Sequence, residues 1–425
     1  MMRSREDGNR RTVRELRPSG AGSVSRIALC VALGAGLLMP QAAAGAQLRG
    51  SISASTQYDS NLTKAADEDE LAAIYGTDRQ LYDLISTIGA GASYSLQSSR
   101  SAVSANASIN YTKYLEYDEF DAGGGQAGLN WTLDVTPNCN TGLNGTYSLR
   151  QSSFDENQVR KRNLQSRYAV RVQGRCLILG RFDTVAFAGY DQATNEAEIR
   201  QSQDREQYVY GGSFAYRTGR GNLFGVRGQY RESKFLNPDP LATQSLDFTV
   251  SQLTAFTQLA LGSTLSLSFD AGHSRSEREG ASSASSRPSY AASLSWSPTA
   301  RTSLSFSAKQ TISEIEDRLS AARERLDFAL GVSHQLTGRM SARLSGNYTQ
   351  DKVLNDIGEV DLLPTNLTTD DEEESVRASL GLSYSLTSRV GLTGALTYAQ
   401  RMSDVALREY ESYGASLSLT IALGN

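Results

Sequence analysis

Residues 265–274, LSLSFDAGHS, alternate without a break between two kinds of side chain. Leu265, Leu267, Phe269 and Ala271 form one set, and Ser266, Ser268, Asp270 and Gly272 form the other. A strand points successive side chains to opposite faces, so this stretch has one apolar face and one polar face. The same period returns in LGLSYSL (380–386), VGLTGALTY (390–398) and YGASLSLTIAL (413–423). A chain built from such strands must set one face of each against something apolar.

The apolar partner is not a large internal core. Only 39% of the 425 residues are hydrophobic, and the mean hydropathy is −0.39, whereas soluble globular chains use closer to half. Disorder is excluded by 20 Tyr, 12 Phe and the sustained alternation. The polar faces, rich in Ser, Thr, Gly and Asn, carry too little charge for a soluble surface. Lipid outside and water inside suit both faces. Only a closed barrel can do this with strands, because an open sheet would leave unpaired backbone groups in hydrocarbon.

The amino-terminal 46 residues read as an export signal. Arginines precede or open the run IALCVALGAGLLM (27–39), which is too short to span a bilayer, where roughly 20 residues are needed. Ala44-Gly45-Ala46 offers a small-x-small cleavage site, so the mature barrel is expected over 47–425. Cleavage removes seven Arg and three acids (Glu6, Asp7, Glu15) from 42 basic and 46 acidic residues, leaving a net charge of −8. That balance argues against a nucleic-acid partner.

Short turns recur at SSRS (98–101), TPNC (136–139), ILGR (178–181), TGRGN (218–222), LGST (261–264), SPTAR (297–301), LTGR (336–339) and LTSR (386–389). Between them lie longer polar connections, such as SNLTKAADEDELAAIYGTDR, SFDENQVRKRN and DLLPTNLTTDDEEES. Tight turns on one rim and long polar loops on the other mark an outer-membrane barrel. Two strands per short turn, plus an opening strand near 47–59 and a closing one near 408–423, predict an antiparallel up-and-down barrel of about 18 strands. Residues 246–261 lose clean alternation and predict a bulge or slipped register there. Tyr58, Tyr111, Tyr117, Tyr208, Tyr210, Tyr230, Tyr348, Tyr398 and Tyr413 fall near loop ends. Tyr94, Trp131, Tyr216, Trp296 and Tyr384 fall near tight turns, which predicts two interfacial aromatic girdles.

The first mature strand ends STQYDSNLTKA, and its Tyr-Asp-x-Asn element, with the alternation across 47–425, resembles the outer-membrane β-barrel porins often associated with exopolysaccharide export. The resemblance implies a pore, with export of a sugar polymer as its task. Barrels of this membrane usually end in an aromatic residue that the assembly machinery reads. Here Leu417, Leu419, Ile421 and Leu423 keep the expected phase, while Asn425 replaces the aromatic.

Candidate catalytic chemistry is sparse. The two histidines, His273 and His334, lie in different strands on the lipid-facing phase, where a hydrolase would want an inward base beside its partner. No cofactor or metal site is expected. The runs Asp370-Asp371-Glu372-Glu373-Glu374 and ADEDE (66–70) have no calcium-loop spacing and read as hydrated loops. Cys139 and Cys176 remain after processing, at tight turns of consecutive hairpins on the oxidising rim, where a disulfide and two separate thiols are both open readings.

The inward phase carries the most informative charge. With Tyr168, Val170 and Val172 outward, Arg167, Arg171 and Arg175 face the lumen. The same logic turns Arg150, Arg217, Arg227, Arg231, Arg343 and Arg377 inward, against fewer inward acids (Asp134, Asp270, Asp327). These residues are the candidate anion-binding set, with bracing of the wall as the alternative role. The expected protein is a non-enzymatic channel for hydrophilic, anionic solutes, extending to export of an acidic exopolysaccharide. Expected partners are outer-membrane lipid and lipopolysaccharide, the barrel-assembly machinery, periplasmic export components and an acidic polysaccharide. The rival reading is a surface binding or structural barrel whose lumen is plugged by loops. A soluble secreted solenoid is disfavoured by the alternation of long loops and short turns.

Overall fold

The computed structural model describes residues 46–75, 79–152, 154, 162–237, 247–279, 284–314, 322–353, 372–403 and 408–423. Residues 1–45 of the expected signal segment (1–46), with Asp370, Asp371 and Asn425, lie outside these residues.

Every described strand is antiparallel to its neighbours. The chain opens with β1 (Gln47–Asp59), a short helix α1 (Glu68–Tyr75), β2 (Asp83–Gln97), β3 (Ser101–Tyr114), β4 (Ala122–Thr136) and β5 (Cys139–Gln151). It continues through β6 (Leu164–Ile178), β7 (Phe182–Asn195), β8 (Arg205–Arg217), β9 (Leu223–Phe235), β10 (Phe248–Leu261), β11 (Leu265–Arg278) and β12 (Ser285–Thr299). The last six are β13 (Thr302–Glu314), β14 (Ala322–Gln335), β15 (Met340–Val353), β16 (Glu372–Ser385), β17 (Val390–Ser403) and β18 (Tyr410–Leu423). Consecutive strands pair around one 18-stranded sheet, and β1 pairs with β18, so no edge is left. All eight predicted short turns fall between strands at one rim, the rim that in such barrels faces the periplasm.

Two sequence expectations need correction. First, β10 carries no bulge: its register runs unbroken against β9 and β11. Alternation fails there because Phe248, Val250 and Phe256 sit on the inward phase and are buried. The register shifts lie instead between Asp134 and Thr136 and between Trp296 and Thr299. Second, the strands run further into the polar segments than hydropathy suggests, with β7 reaching Asn195 and β11 reaching Arg278. A ladder can continue above the bilayer, where both faces are wet and the period of two carries no signal.

The wall is apolar outside. Ile52, Ile88, Ile109, Leu253, Leu396 and Leu417 are largely exposed on the outward phase, the surface that meets lipid. The predicted girdle residues share that phase, with one exception. Tyr117 lies between β3 and β4, fully buried, with its hydroxyl donating to the Gln80 carbonyl.

The Tyr-Asp-x-Asn element stitches the seam of the barrel. Asp59 accepts from the Asn61 backbone N–H (3.0 Å), from Lys64 Nζ (2.9 Å) and from Ser412 Oγ on β18 (2.6 Å). The buried Asn61 amide donates to the Ala65 carbonyl (2.7 Å) and to the Glu411 carbonyl (3.1 Å). First and last strands are thereby tied at the loop rim as well as along their ladder.

The connection after β1 then turns inward. Asp67 Oδ1 accepts the Glu70 N–H (2.8 Å), and the Glu70 carboxylate reaches back to the Ala66 N–H (2.6 Å), a reciprocal cap that starts α1. The ADEDE run is thus a helix start. Leu62, Tyr117, Phe120 and Phe154 pack with the inward residues Ile85 and Tyr114, joined by Tyr75 from α1. This apolar cluster covers the loop-end inner wall of β2 and β3.

A second element leans in from the other side. β13 follows β14 up to Glu314 opposite Ala322, yet its last partner on β12 is Gln310 opposite Tyr290. Above that point β13 touches β11, and the Ile312 carbonyl accepts a hydrogen bond from Arg231 Nη2 on β9 at 3.1 Å. Ile312, Phe248, Val250, Ser274 and Ser276 are all buried there.

Candidate functional site

Between the two covered sectors lies the inner wall of β5 to β8. Register fixes which side chains reach it. Tyr147 pairs with Tyr168 on the outer face, so Ser148 opposite Arg167 and Asn144 opposite Arg171 face the lumen. Arg171 pairs with Gly189, and Arg175 with Val185, placing the odd residues of β7 on the same surface. Asp183 and Asp191 are therefore inward, as are Arg217 opposite Leu223 and Arg227 opposite Ser213.

Most of these arginines are occupied. Arg167 Nε donates to Asp191 Oδ2 at 2.7 Å. Arg175 Nε donates to Asp183 Oδ1 at 2.8 Å, and Arg217 donates to the other oxygen of the same carboxylate. Arg227 Nη1 pairs with Asp270 Oδ1 at 3.2 Å, and its guanidinium lies 4.8 Å from the Phe256 ring centroid. Arg231 holds the Ile312 carbonyl. Arg171 differs: its guanidinium carbon sits 3.9 Å from the Phe187 ring centroid. Arg150, exposed near the loop end of β5, faces the lumen opposite Gln165.

Arg343 and Arg377 belong to another sector. They face the lumen from β15 and β16, about half a circuit from β6 in the ring. The predicted arginines thus form one group on β5, β6, β8 and β9 and a separate pair on the far wall. Nearby, Asp351 binds Arg325 (2.7 Å) and Arg323 (2.8 Å), and Glu373 binds Arg408 (2.8 Å).

Sequence reasoning missed the acids that matter most. Asp183 follows the ILGR turn by two residues, and Asp191 opens a stretch whose polarity mimics a loop. Their signal was spacing: counted from outward Tyr190, both take the inward phase.

Cys139 and Cys176 are direct register partners across β5 and β6 on the outward phase, Cα atoms 4.2 Å apart, with their sulfurs joined. His273 Nε2 meets Ser286 Oγ at 2.7 Å and His334 Nδ1 meets Thr302 Oγ1 at 2.9 Å, both on the outer face. Among the described residues no three metal-ligating side chains converge. In the mouth, burial pushes the Tyr117 phenol up to about 12, although the Arg79 guanidinium 5.2 Å from its ring pulls the other way.

A closed antiparallel sheet with an apolar outer band and a polar, charged lumen defines an outer-membrane β-barrel. The chain belongs to the family described as "Putative beta-barrel porin 2", which matches residues 45–423. No curated protein sequence matches it. Among solved structures it is similar to the siderophore receptor PirA from Pseudomonas aeruginosa, at 13% identity and a TM-score of 0.43, covering 89% of this chain and 80% of that one. It is similar also to PirA from Acinetobacter baumannii (8% identity, TM-score 0.46, 89% and 80% covered). A third is OccK2 (OpdF) from Pseudomonas aeruginosa in complex with glucuronate (10% identity, TM-score 0.46, 89% and 99% covered).

Proposed function

We propose that the barrel conducts hydrophilic anions across the outer membrane, acidic saccharides in particular. We extend this to the outward passage of an acidic exopolysaccharide delivered by periplasmic export components. The observation that carries the reading is the column Arg167, Arg171 and Arg175 on β6, exposed to the lumen between two covered sectors. Guanidinium groups stay charged at any working pH and match carboxylate geometry. Weak, exchangeable contacts along a wall guide an ion without trapping it. Barrels of 16–18 strands are wide enough for an aqueous channel.

The rival reading, a non-conducting barrel, draws on the α1 cluster and the inward lean of β13, both of which narrow the mouth. Purified full-length protein in planar bilayers separates the two. Steady conductance with anion preference supports the channel, and silent insertion supports the plugged barrel.

A further inference from the structure

We propose that Arg171, laid on Phe187, is the point in the lumen that binds the carboxylate of a passing acidic sugar. The inference rests on the anion-channel reading above and gives it a single station.

The neighbouring arginines are already engaged. Arg167 is held by Asp191, Arg175 and Arg217 by Asp183, and Arg227 by Asp270. Among the described residues Arg171 meets no carboxylate, and its one specific contact is the Phe187 ring at 3.9 Å. It stands at the midpoint of β6, between Arg167 with Asp191 on one side and Arg175, which shares Asp183 with Arg217, on the other. An anion moving along this wall therefore meets, between two arginines that already hold carboxylates, one guanidinium that among the described residues holds none.

The platform is built for that charge. Phe187 leans over Gly211 on β8, where an added Cβ would come within 2.5 Å of the ring's Cζ. A side chain there would push the ring off the wall. The Cζ end of the ring lies over Gly211 and the guanidinium lies over the ring, so the ring is a platform for Arg171. A fork held this way matches a planar carboxylate with two parallel hydrogen bonds, which a lysine ammonium cannot do. A phosphate dianion would bring a second charge that the one guanidinium does not offset, beside the inward carboxylates of Asp183 and Asp191. The ligand class is thus the singly charged carboxylate of a uronate, free or within a polymer.

The test uses the full-length protein in planar bilayers, with galacturonate added as a blocker of the chloride current. Glucose serves as the uncharged control and inorganic phosphate as the second anion. Galacturonate should interrupt the wild-type current, whereas glucose should not and phosphate should do so more weakly. R171K and F187A both keep the charge, yet each should weaken the block roughly tenfold with little change in reversal potential. R171S should abolish the block and lower chloride preference. R343S, which removes a charge from the far wall, should lower preference but retain the block. Faster migration of unboiled than boiled protein checks that each variant is a closed barrel. Equal block in wild type, R171K and F187A would overturn the inference while leaving the channel intact, and equal block by phosphate would overturn the ligand class. A wild type that carries no current, or prefers cations, would overturn the channel reading and this inference together.

Discussion

Arg175 and Asp183 face the lumen from neighbouring strands, Nε to Oδ1 at 2.8 Å, and Arg217 donates to the same carboxylate from the third strand. The carboxylate is almost sealed from water while both guanidinium groups keep contact with the lumen. One acid thus offsets two cations on the lumen wall. Asp183→Asn keeps the shape and removes the offset. Anion-over-cation permeability should rise, and the barrel should lose about 1.5–3 kcal/mol, because the amide keeps one acceptor oxygen and turns an NH2 toward a guanidinium donor. A fall in the permeability ratio would contradict this assignment.

The phase of the strands can be tested away from the lumen. Leu396 is exposed on the lipid face of β17, and Thr397 beside it points inward. Leu396→Arg should cost about 2–4 kcal/mol if it lies near the bilayer midplane, and Thr397→Arg much less. Refolding into vesicles under a denaturant gradient measures both. Equal tolerance would mean that the two faces are exchanged.

Cys139 and Cys176 should resist thiol labelling in native cells and label only after reduction, since they are register partners with joined sulfurs. Replacing both with Ser should leave the barrel heat-modifiable, because closure rests on the ladder between β1 and β18. Labelling without reductant would reject the bridge.

The mouth should respond to alkali. Tyr117 lies in the cluster that covers β2 and β3, and burial raises its phenol from 10 to about 12. With the folded value above the unfolded one, its contribution to stability is whole below pH 10 and is lost as pH climbs to about 12. Ultraviolet titration should show the Tyr117 phenolate among those that form late, accompanied by a rise in conductance. Tyr117→Phe should remove both. A conductance rise that persists in the Phe variant would place the gate elsewhere.

The barrel was legible in the sequence because lipid imposes a strict period of two on every strand that crosses it. The turns, the 18 strands and the girdles follow from that period. It fails wherever lipid or water is not the neighbour. Phe248, Val250 and Phe256 mimic a bulge because part of the inner wall is covered. Tyr117 mimics a girdle residue because its loop folds inward rather than outward. The arginines were legible by phase, but their partners were not. Asp183 and Asp191 lie on β7, which carries none of the predicted arginines, and each sits beside a polar turn or loop that masks its inward phase. The partnership of Arg171 with Phe187 depends on Gly211, a contact between strands that no single-strand pattern records.

We propose that the lumen carries anions although the chain as a whole is acidic, with a net charge of −4. The reversal potential of the purified barrel in a salt gradient across a planar bilayer tests it most directly. The expected sign is that of chloride, moving toward zero in Arg171→Ser. A reversal potential of the cation's sign, or insertion without current, would contradict the account.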